Sequence, residues 1–127
     1  MNYLLDTAPF LWAVSEPGKL SPRVRALIAD RKHRMYVSVA SLWEVVIKTQ
    51  KGLLAVPDPS RWLQAAIVSL DVEVLPIHAA HAYSVYQLPT IHKDPFDRLL
   101  ITQALTEQLV LISNDRTVRR YAVQTVW

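Results

Sequence analysis

Short apolar runs recur along the chain, separated by longer segments in which apolar and polar residues follow a helical period. Mostly apolar runs over residues 3–5, 35–38, 72–75 and 109–112 predict strands. The run over residues 3–5 has no polar alternation, as expected of a strand covered on both faces of a sheet. A last run over residues 123–126 predicts a strand at the edge of the same sheet.

The segments between these runs are predicted to be helical, and several carry clear start and stop signals. Ser21-Pro22 and Asp94-Pro95 each place a capping side chain before a proline that suits the first helical turn. Ser60 is expected to cap another helix, and Gly52 ends one. The predicted helices cover residues 9–14, 22–31, 40–50, 60–70, 78–86, 95–107 and 116–121.

This alternation of strands and helices predicts an α/β fold, since parallel strands are joined by helical crossovers. We expect a three-layer α/β/α sandwich around a mostly parallel central sheet of four to five strands, formed by a single domain over residues 1–127. The glycine-rich signatures of nucleotide-binding domains are absent from the sequence.

Composition narrows the chemistry that such a domain can perform. The chain has no cysteine, which excludes disulfide scaffolds, thiol nucleophiles and thiolate zinc sites. It has no basic segment leading into a long apolar run, and no apolar stretch approaching the roughly 18 residues of a membrane span. We therefore expect a cytoplasmic protein. The net charge of +3 tolerates a polyanionic partner but is weak support for one.

Four acidic residues lie near the predicted ends of strands, where an α/β protein binds its ligands, and a fifth lies within a helix. In open parallel sheets, ligands bind beyond the carboxyl ends of the strands. Asp6 ends the first predicted strand, and Asp115 follows the fourth. Asp94 and Asp97 begin the helix that leads into the fourth strand, and Glu44 lies within the helix after the second.

Each acid also has a purely structural interpretation. Asp6 and Asp115 can cap the helices that follow them, and Asp97 suits the positive end of the helix dipole. Glu44 can pair with Lys48, four residues further along the same helix. However, the residues flanking Glu44 are apolar, so its carboxylate is expected to be partly buried and to need a partner.

Taken together, these acids predict a cation site. Carboxylates at close range repel one another and raise each other's pKa unless a cation lies between them. Mg²⁺ and Mn²⁺ are the hard cations that bind such oxygen ligands, and they can activate water and stabilise a phosphodiester transition state.

Four segments carry the acids in a characteristic order: residues 4–7 (LLDT), 41–48 (SLWEVVIK), 92–100 (HKDPFDRLL) and 111–115 (LISND). Together they resemble the motifs of PIN-domain proteins and, more narrowly, of VapC-type ribonuclease toxins of type II toxin–antitoxin systems. The resemblance implies an endoribonuclease that depends on Mg²⁺ or Mn²⁺ and hydrolyses RNA phosphodiester bonds. It implies four residues that bind the metal and are catalytic: Asp6, Glu44, Asp97 and Asp115.

The same resemblance implies partners. It predicts a homodimer, a cognate antitoxin protein whose peptide enters the active-site groove, and a structured substrate such as transfer or ribosomal RNA. An arginine of the antitoxin peptide would be attracted to the carboxylates.

Three residues beside the four acids are expected to support the site, each with a structural alternative. Asp94 either caps its helix or joins the site, and Thr7 either holds a metal-bound water or caps a helix. His92 could contact RNA, or it could be a loop histidine without a role.

A basic patch follows Asp115. Arg116, Arg119 and Arg120 are expected to contact RNA phosphates at the rim of the groove, with a solvated helix face as the alternative. His78 and His81 have no third ligand nearby in the sequence and are expected to be surface or helix-terminus histidines.

Three other functions compete with the nuclease. A phosphoacceptor receiver-like signalling domain would have an acidic pair after the first strand and a lysine after the last, whereas this chain has a single Asp6 and Asn114-Asp115. A haloacid-dehalogenase-like phosphatase needs an Asp-x-Asp motif, which Asp6-Thr7-Ala8 lacks. A degenerate PIN domain acting only as a binding module is disfavoured because all four acids are present.

Overall fold

Five strands and six α-helices follow one another in a computed structural model that describes residues 1–127. Their bounds are β1 (Asn2–Leu5), α1 (Thr7–Ser15), α2 (Pro22–Ala29), β2 (Arg34–Ser38), α3 (Val39–Gln50), α4 (Pro59–Leu70), β3 (Glu73–Leu75), α5 (Ala79–Ser84), α6 (Pro95–Glu107), β4 (Val110–Ile112) and β5 (Thr125–Val126). Short 3₁₀ turns lie at Pro17–Lys19, Val85–Gln87 and Val118–Arg120.

The five strands form one sheet in the order β3-β2-β1-β4-β5, and every neighbouring pair is parallel. β1 pairs with β2 through Leu5 and Val37 and with β4 through Leu5 and Ile112. The prediction of an α/β sandwich with a parallel sheet of four to five strands is confirmed. Because the strand order reverses beside β1, a crevice is expected where the carboxyl ends of β1 and β4 meet.

Side chains of each strand alternate between two hydrophobic cores, one on either face of the sheet. Leu5, Val37 and Ile112 pack into the core that α1, α2 and α4 cover, whereas Leu4 and Leu111 pack into the core beneath α6. All five are almost fully buried. This burial on both faces explains why the strands appear in the sequence as continuous apolar runs.

Most helix starts agree with the capping predictions. The side chains of Ser21 and Asp94 accept backbone N–H groups at the first turns of α2 and α6, and α6 has the predicted bounds. Ser60 is not a cap, because α4 begins one residue earlier, after Asp58. Gly52 follows α3 with φ of +74°, a left-handed conformation that glycine adopts without strain.

Two other expectations were wrong. Within the segment 116–121 only Val118–Arg120 is helical, and it forms a 3₁₀ turn. The strands β4 and β5 are parallel, so the short connection between them must also carry the chain back along the length of the strands. The surface alternative for His81 is also wrong, although its helix-terminus alternative is correct. His81 lies on the first turn of α5 and is buried; its Nδ1 accepts the His78 N–H and its Nε2 lies 3.1 Å from Glu107.

No helix combines the length and the hydrophobicity that a membrane span requires.

Candidate active site

Asp6 lies directly after β1. Its main chain continues the hydrogen bonding of the sheet, and its side chain caps α1. Its N–H donates to the carbonyl of Ile112 in β4, at 3.0 Å. Its Oδ1 accepts the N–H of Thr7 at 2.8 Å, so Asp6 is the N-cap of α1. Only 9% of its surface is exposed. The capping interpretation of Asp6 is therefore correct, and its second carboxylate oxygen remains available for other contacts.

Ser113 joins Asp6 to Asp115. Its hydroxyl donates to Asp6 Oδ2 at 2.8 Å and accepts the N–H of Asp115 at 3.1 Å. Ser113 is fully buried, directly after β4. Ser113 was not among the predicted site residues, although a serine hydroxyl that accepts a main-chain N–H two residues later is a common turn contact.

Glu44 is buried on α3 and is held by two opposed contacts. The Thr7 hydroxyl donates to Glu44 Oε1 at 2.7 Å, and Thr7 Oγ1 also lies 2.8 Å from Ser41 Oγ. The Lys48 ammonium lies 2.8 Å from Glu44 Oε2. Both interpretations of Glu44 therefore apply, since it pairs with Lys48 and is also a buried acid only 5% exposed. Thr7 connects the acids of α1 and α3.

Asp94 and Asp97 have different surroundings at the start of α6. Asp94 Oδ1 accepts the N–H of Phe96 at 2.8 Å and of Asp97 at 3.4 Å, as expected of an N-cap. The Asp97 carboxylate makes no capping contact; its Oδ2 instead lies 2.9 Å from His92 Nε2. Asp97 is thus the acid of this pair whose carboxylate is free to serve a ligand.

His92 lies inside the acidic cluster and is not a free loop residue. Its Nε2 is 3.1 Å from Asp115 Oδ2 as well as 2.9 Å from Asp97 Oδ2. Asp115 Oδ1 accepts the N–H of Thr117 at 2.8 Å, which fixes the other side of that carboxylate. The three side chains offer ligand-type atoms that lie within 4.8 Å of one another.

All of these acids line one cavity of about 320 Å³ at the carboxyl ends of the strands. Its charged lining residues are Asp6, Glu44, Lys48, Asp94, Asp97 and Asp115. Leu11, Trp12 and Leu54 form an apolar side of the same cavity. Five carboxylates face one lysine there, so the cavity is strongly electronegative.

The predicted arginine patch lies outside this cavity. Arg116, Arg119 and Arg120 are exposed, and Arg120 lines a separate groove beside Tyr121. The structure therefore gathers the predicted acids, Thr7 and His92, and leaves the three arginines at the surface. The cation that contacts the acidic cluster is Lys48, through its ion pair with Glu44. This pair was expected in the solvated alternative for Glu44, as a contact along the helix surface.

The surroundings of Asp97 and Asp6 disfavour their ionised forms. Burial, followed by the charges of Asp6 and Asp94, raises the pKa of Asp97 to about 7, although His92 opposes the shift. Burial also raises the pKa of Asp6, while hydrogen bonds from Ser113 and Thr7 act in the other direction. Both shifts arise first from burial, and the charges of neighbouring carboxylates add to them.

Asp115 and Lys48 are shifted toward their charged forms. Burial acts to raise the pKa of Asp115, but the hydrogen bond from His92 and those from the N–H groups of Thr117 and Val118 outweigh it, so the pKa is lowered. The hydrogen bond to Glu44 raises the pKa of Lys48, and nearby carboxylates add to this. Lys48 is therefore a permanent cation at neutral pH.

The donor set fits a hard divalent cation. The acids offer only carboxylate oxygens, which are the ligands that Mg²⁺ and Mn²⁺ prefer. A cation at this cavity would also relieve the repulsion that raises the pKa of Asp97.

The buried bridge of Ser113 leads to a stability prediction. Ser113→Ala should lower the free energy of unfolding by about 1–3 kcal/mol, because Asp6 Oδ2 and the Asp115 N–H lose a buried partner. Urea unfolding followed by tryptophan fluorescence measures this. Ser69→Ala, at an exposed position of α4, is the matched control. Equal stability of the two variants would contradict the bridge.

Comparison with protein families agrees with this architecture. Residues 3–124 match the PIN domain family. No protein of curated function is significantly similar to the chain in sequence.

Several solved structures share the fold. The toxin–antitoxin complex VapBC2 from Rickettsia felis, bound to a DNA fragment from its promoter, contains a chain that is 17% identical with a TM-score of 0.73, covering 99% of this chain and 98% of that one. VapBC-1 from nontypeable Haemophilus influenzae gives 17% identity and a TM-score of 0.66, covering 99% and 97%. VapBC-5 from Mycobacterium tuberculosis gives 19% and 0.60, covering 98% and 95%.

Proposed function

Because the chain belongs to the PIN-domain family, we propose that it is a VapC-type toxin. In this proposal it is an endoribonuclease that uses Mg²⁺ or Mn²⁺ to hydrolyse RNA. One observation carries the proposal: five carboxylates from four separate segments line a single cavity at the carboxyl ends of the strands. Helix capping accounts for only some of these carboxylates. Gathering the others against their mutual repulsion is typical of a metal-dependent active site.

We assign the metal to Asp6, Glu44, Asp97 and Asp115. When bound, the ion supplies an activated water and neutralises charge on the phosphate. Asp6 is oriented for this role by Ser113 and by the N–H of Thr7. Asp97 stands on the first turn of α6, where the positive end of the helix dipole favours a carboxylate.

Lys48 and Thr7 shape the other side of the cavity. The protonated Lys48 draws one oxygen of Glu44 toward itself, and the Thr7 hydroxyl occupies the other. Glu44 is consequently held in one orientation. Lys48 also lines the cavity, so its charge attracts the phosphate of an entering RNA. The exposed Arg116, Arg119 and Arg120 would contact more distant phosphates at the rim.

The relatives in solved structures are toxin–antitoxin complexes, which supports an antitoxin partner for this chain as well. Aromatic side chains are enriched at protein–protein interfaces, and three of them are exposed here: Trp43, Tyr83 and Tyr86. We propose a homodimer that acts on structured RNA, such as transfer or ribosomal RNA, in the cytoplasm.

The receiver-like alternative disagrees with the sheet order. Receiver domains have the doubly wound order 2-1-3-4-5, whereas this sheet has the order 3-2-1-4-5. A binding module without catalysis would have no need of the buried network that holds Asp6, Glu44 and Asp115.

An RNA cleavage assay tests the proposal. Purified protein is incubated with transfer RNA in Mg²⁺ or Mn²⁺, and in parallel with EDTA. We expect cleavage with either metal, none with EDTA, and none from Asp6→Asn. Asp71→Asn, which changes an exposed acid paired with Arg31, is the matched control and should cleave normally. Activity that persists in EDTA and in Asp6→Asn would exclude the mechanism.

A further inference from the structure

His92 joins three parts of the acidic cluster through its two ring nitrogens. Its Nδ1 accepts the main-chain N–H of Asp94, at 3.1 Å. Its Nε2 lies 3.1 Å from Asp115 Oδ2 and 2.9 Å from Asp97 Oδ2. One imidazole therefore contacts the cap of α6, the first turn of α6 and the loop after β4.

These contacts determine which ring nitrogen carries the proton. A main-chain N–H can only donate, so Nδ1 must present its lone pair to Asp94. In a neutral imidazole the proton is then on Nε2. That nitrogen faces two carboxylates, which are acceptors. Both ends of the ring are satisfied by this tautomer alone.

We propose that His92 is a positioning residue: its Nε2–H donates to Asp115 and lies against Asp97, and so holds both carboxylates in place for the metal without binding the metal itself. This inference rests on the proposed function. His92 is the only side-chain nitrogen within salt-bridge distance of either carboxylate, so its loss removes the one side-chain contact that Asp97 and Asp115 share.

Direct binding of the metal by His92 conflicts with the same geometry. A nitrogen ligand needs a free lone pair, which would require the proton to move from Nε2 to Nδ1. An Nδ1–H would then point at the N–H of Asp94, and the cap of α6 would lose this contact. The proximity of the three side chains therefore does not make His92 a ligand.

The loop that carries His92 is held rigidly. The N–H groups of Ile91 and His92 donate to the buried Tyr121 hydroxyl at 3.1 and 2.7 Å, and that hydroxyl donates to the Pro89 carbonyl at 2.9 Å. The Arg98 guanidinium also donates to the Pro89 carbonyl, at 2.9 Å. A positioning group must itself be fixed, and these contacts fix it.

Two substitutions separate the two ends of the ring. His92→Asn keeps an acceptor near the position of Nδ1, so the contact with Asp94 can persist while the donor to the carboxylates is lost. His92→Gln places an amide near the position of Nε2, so a donor to Asp97 and Asp115 is kept. His78→Asn, at an exposed position outside the site, is the matched control.

Mn²⁺ affinity is measured by titration calorimetry on the full chain without RNA. We expect His92→Asn to weaken binding about 10- to 100-fold, and His92→Gln and His78→Asn to stay near the wild type. With RNA, His92→Asn should lower kcat more than it raises KM. Unchanged affinity in His92→Asn, tighter binding in it, or an equal loss in His92→Gln would each overturn the inference.

A second measurement does not depend on any variant. Long-range ¹H–¹⁵N NMR correlations of the His92 ring should show the proton on Nε2, both in the metal-free protein and after saturation with Mg²⁺. A change to the Nδ1–H tautomer on adding Mg²⁺ would make His92 a ligand and refute the positioning role. If the wild type binds no metal, the proposed function itself fails; if it binds metal but His92→Asn binds equally well, only this inference fails.

Discussion

Asp97→Asn is expected to abolish RNA cleavage and, at the same time, to make the metal-free protein more stable. The substitution removes one proposed metal ligand. Residues that only support a metal ligand typically change activity by about 10- to 100-fold when they are replaced, and the loss here should be larger. It also removes a carboxylate whose ionised form is disfavoured in the fold, because burial and the charges of Asp6 and Asp94 raise its pKa to about 7.

The gain in stability follows from that shift. The folded protein binds the Asp97 proton up to pH of about 7, whereas an unfolded aspartate releases it near pH 4. At pH 8 the ionised group therefore opposes folding, by an amount on the order of 1–3 kcal/mol. Urea unfolding in EDTA at pH 8 measures the gain, and the cleavage assay measures the loss.

Asp94→Asn is the matched control at the same helix start. Asparagine caps a helix about as well as aspartate, so α6 should keep its stability, and cleavage should fall only mildly. If both variants lost activity equally, or if both failed to fold, the assignment of Asp97 to the metal and of Asp94 to the cap would be wrong.

The metal-free wild type is expected to lose stability as the pH rises from about 4 to about 7, and a divalent cation should reverse this. Within that window the folded state binds more protons than the unfolded state, so the free energy of unfolding falls with increasing pH. The raised pKa of Asp6 acts in the same direction. Asp115 has a lowered pKa and contributes outside this window, in more acidic solution.

Metal should restore the lost stability because it binds the ionised carboxylates of the folded state. At a concentration 100 times the dissociation constant, a ligand adds about 2.7 kcal/mol to the free energy of unfolding. Unfolding at pH 5, 6, 7 and 8, in EDTA and in Mg²⁺, tests both parts. The pH slope should be much smaller in Asp97→Asn. A slope that is unchanged in that variant would show that other groups cause it.

The layers of the fold could be read from the sequence because each depends on local patterns. Mostly apolar runs predicted the four longer strands, and the Asp94-Pro95 pair predicted the start of α6. The position of Asp6 and Asp115 at strand ends was also sufficient to place them at one edge of a parallel sheet, since all such ends meet there.

The two wrong structural predictions, for the segment 116–121 and for the exposure of His81, have a common physical cause. The segment 116–121 has helix-forming residues, but the short connection between β4 and β5 left room only for a 3₁₀ turn. His81 was expected at the surface or at a helix terminus; it lies on the first turn of α5, but packing of α5 against α6 buries it beside Glu107. In both cases distant parts of the chain overrode a local preference.

The α/β fold, the order of the acidic motifs and the kind of chemistry they suggest all follow from the amino-acid pattern. The fold in three dimensions was needed to show that Ser113 bridges two acids, that Thr7 and Lys48 hold Glu44, and that His92 lies between Asp97 and Asp115. These contacts join residues far apart in the chain. Their geometry depends on strand register and helix packing, which no local pattern of hydrophobic and polar positions specifies.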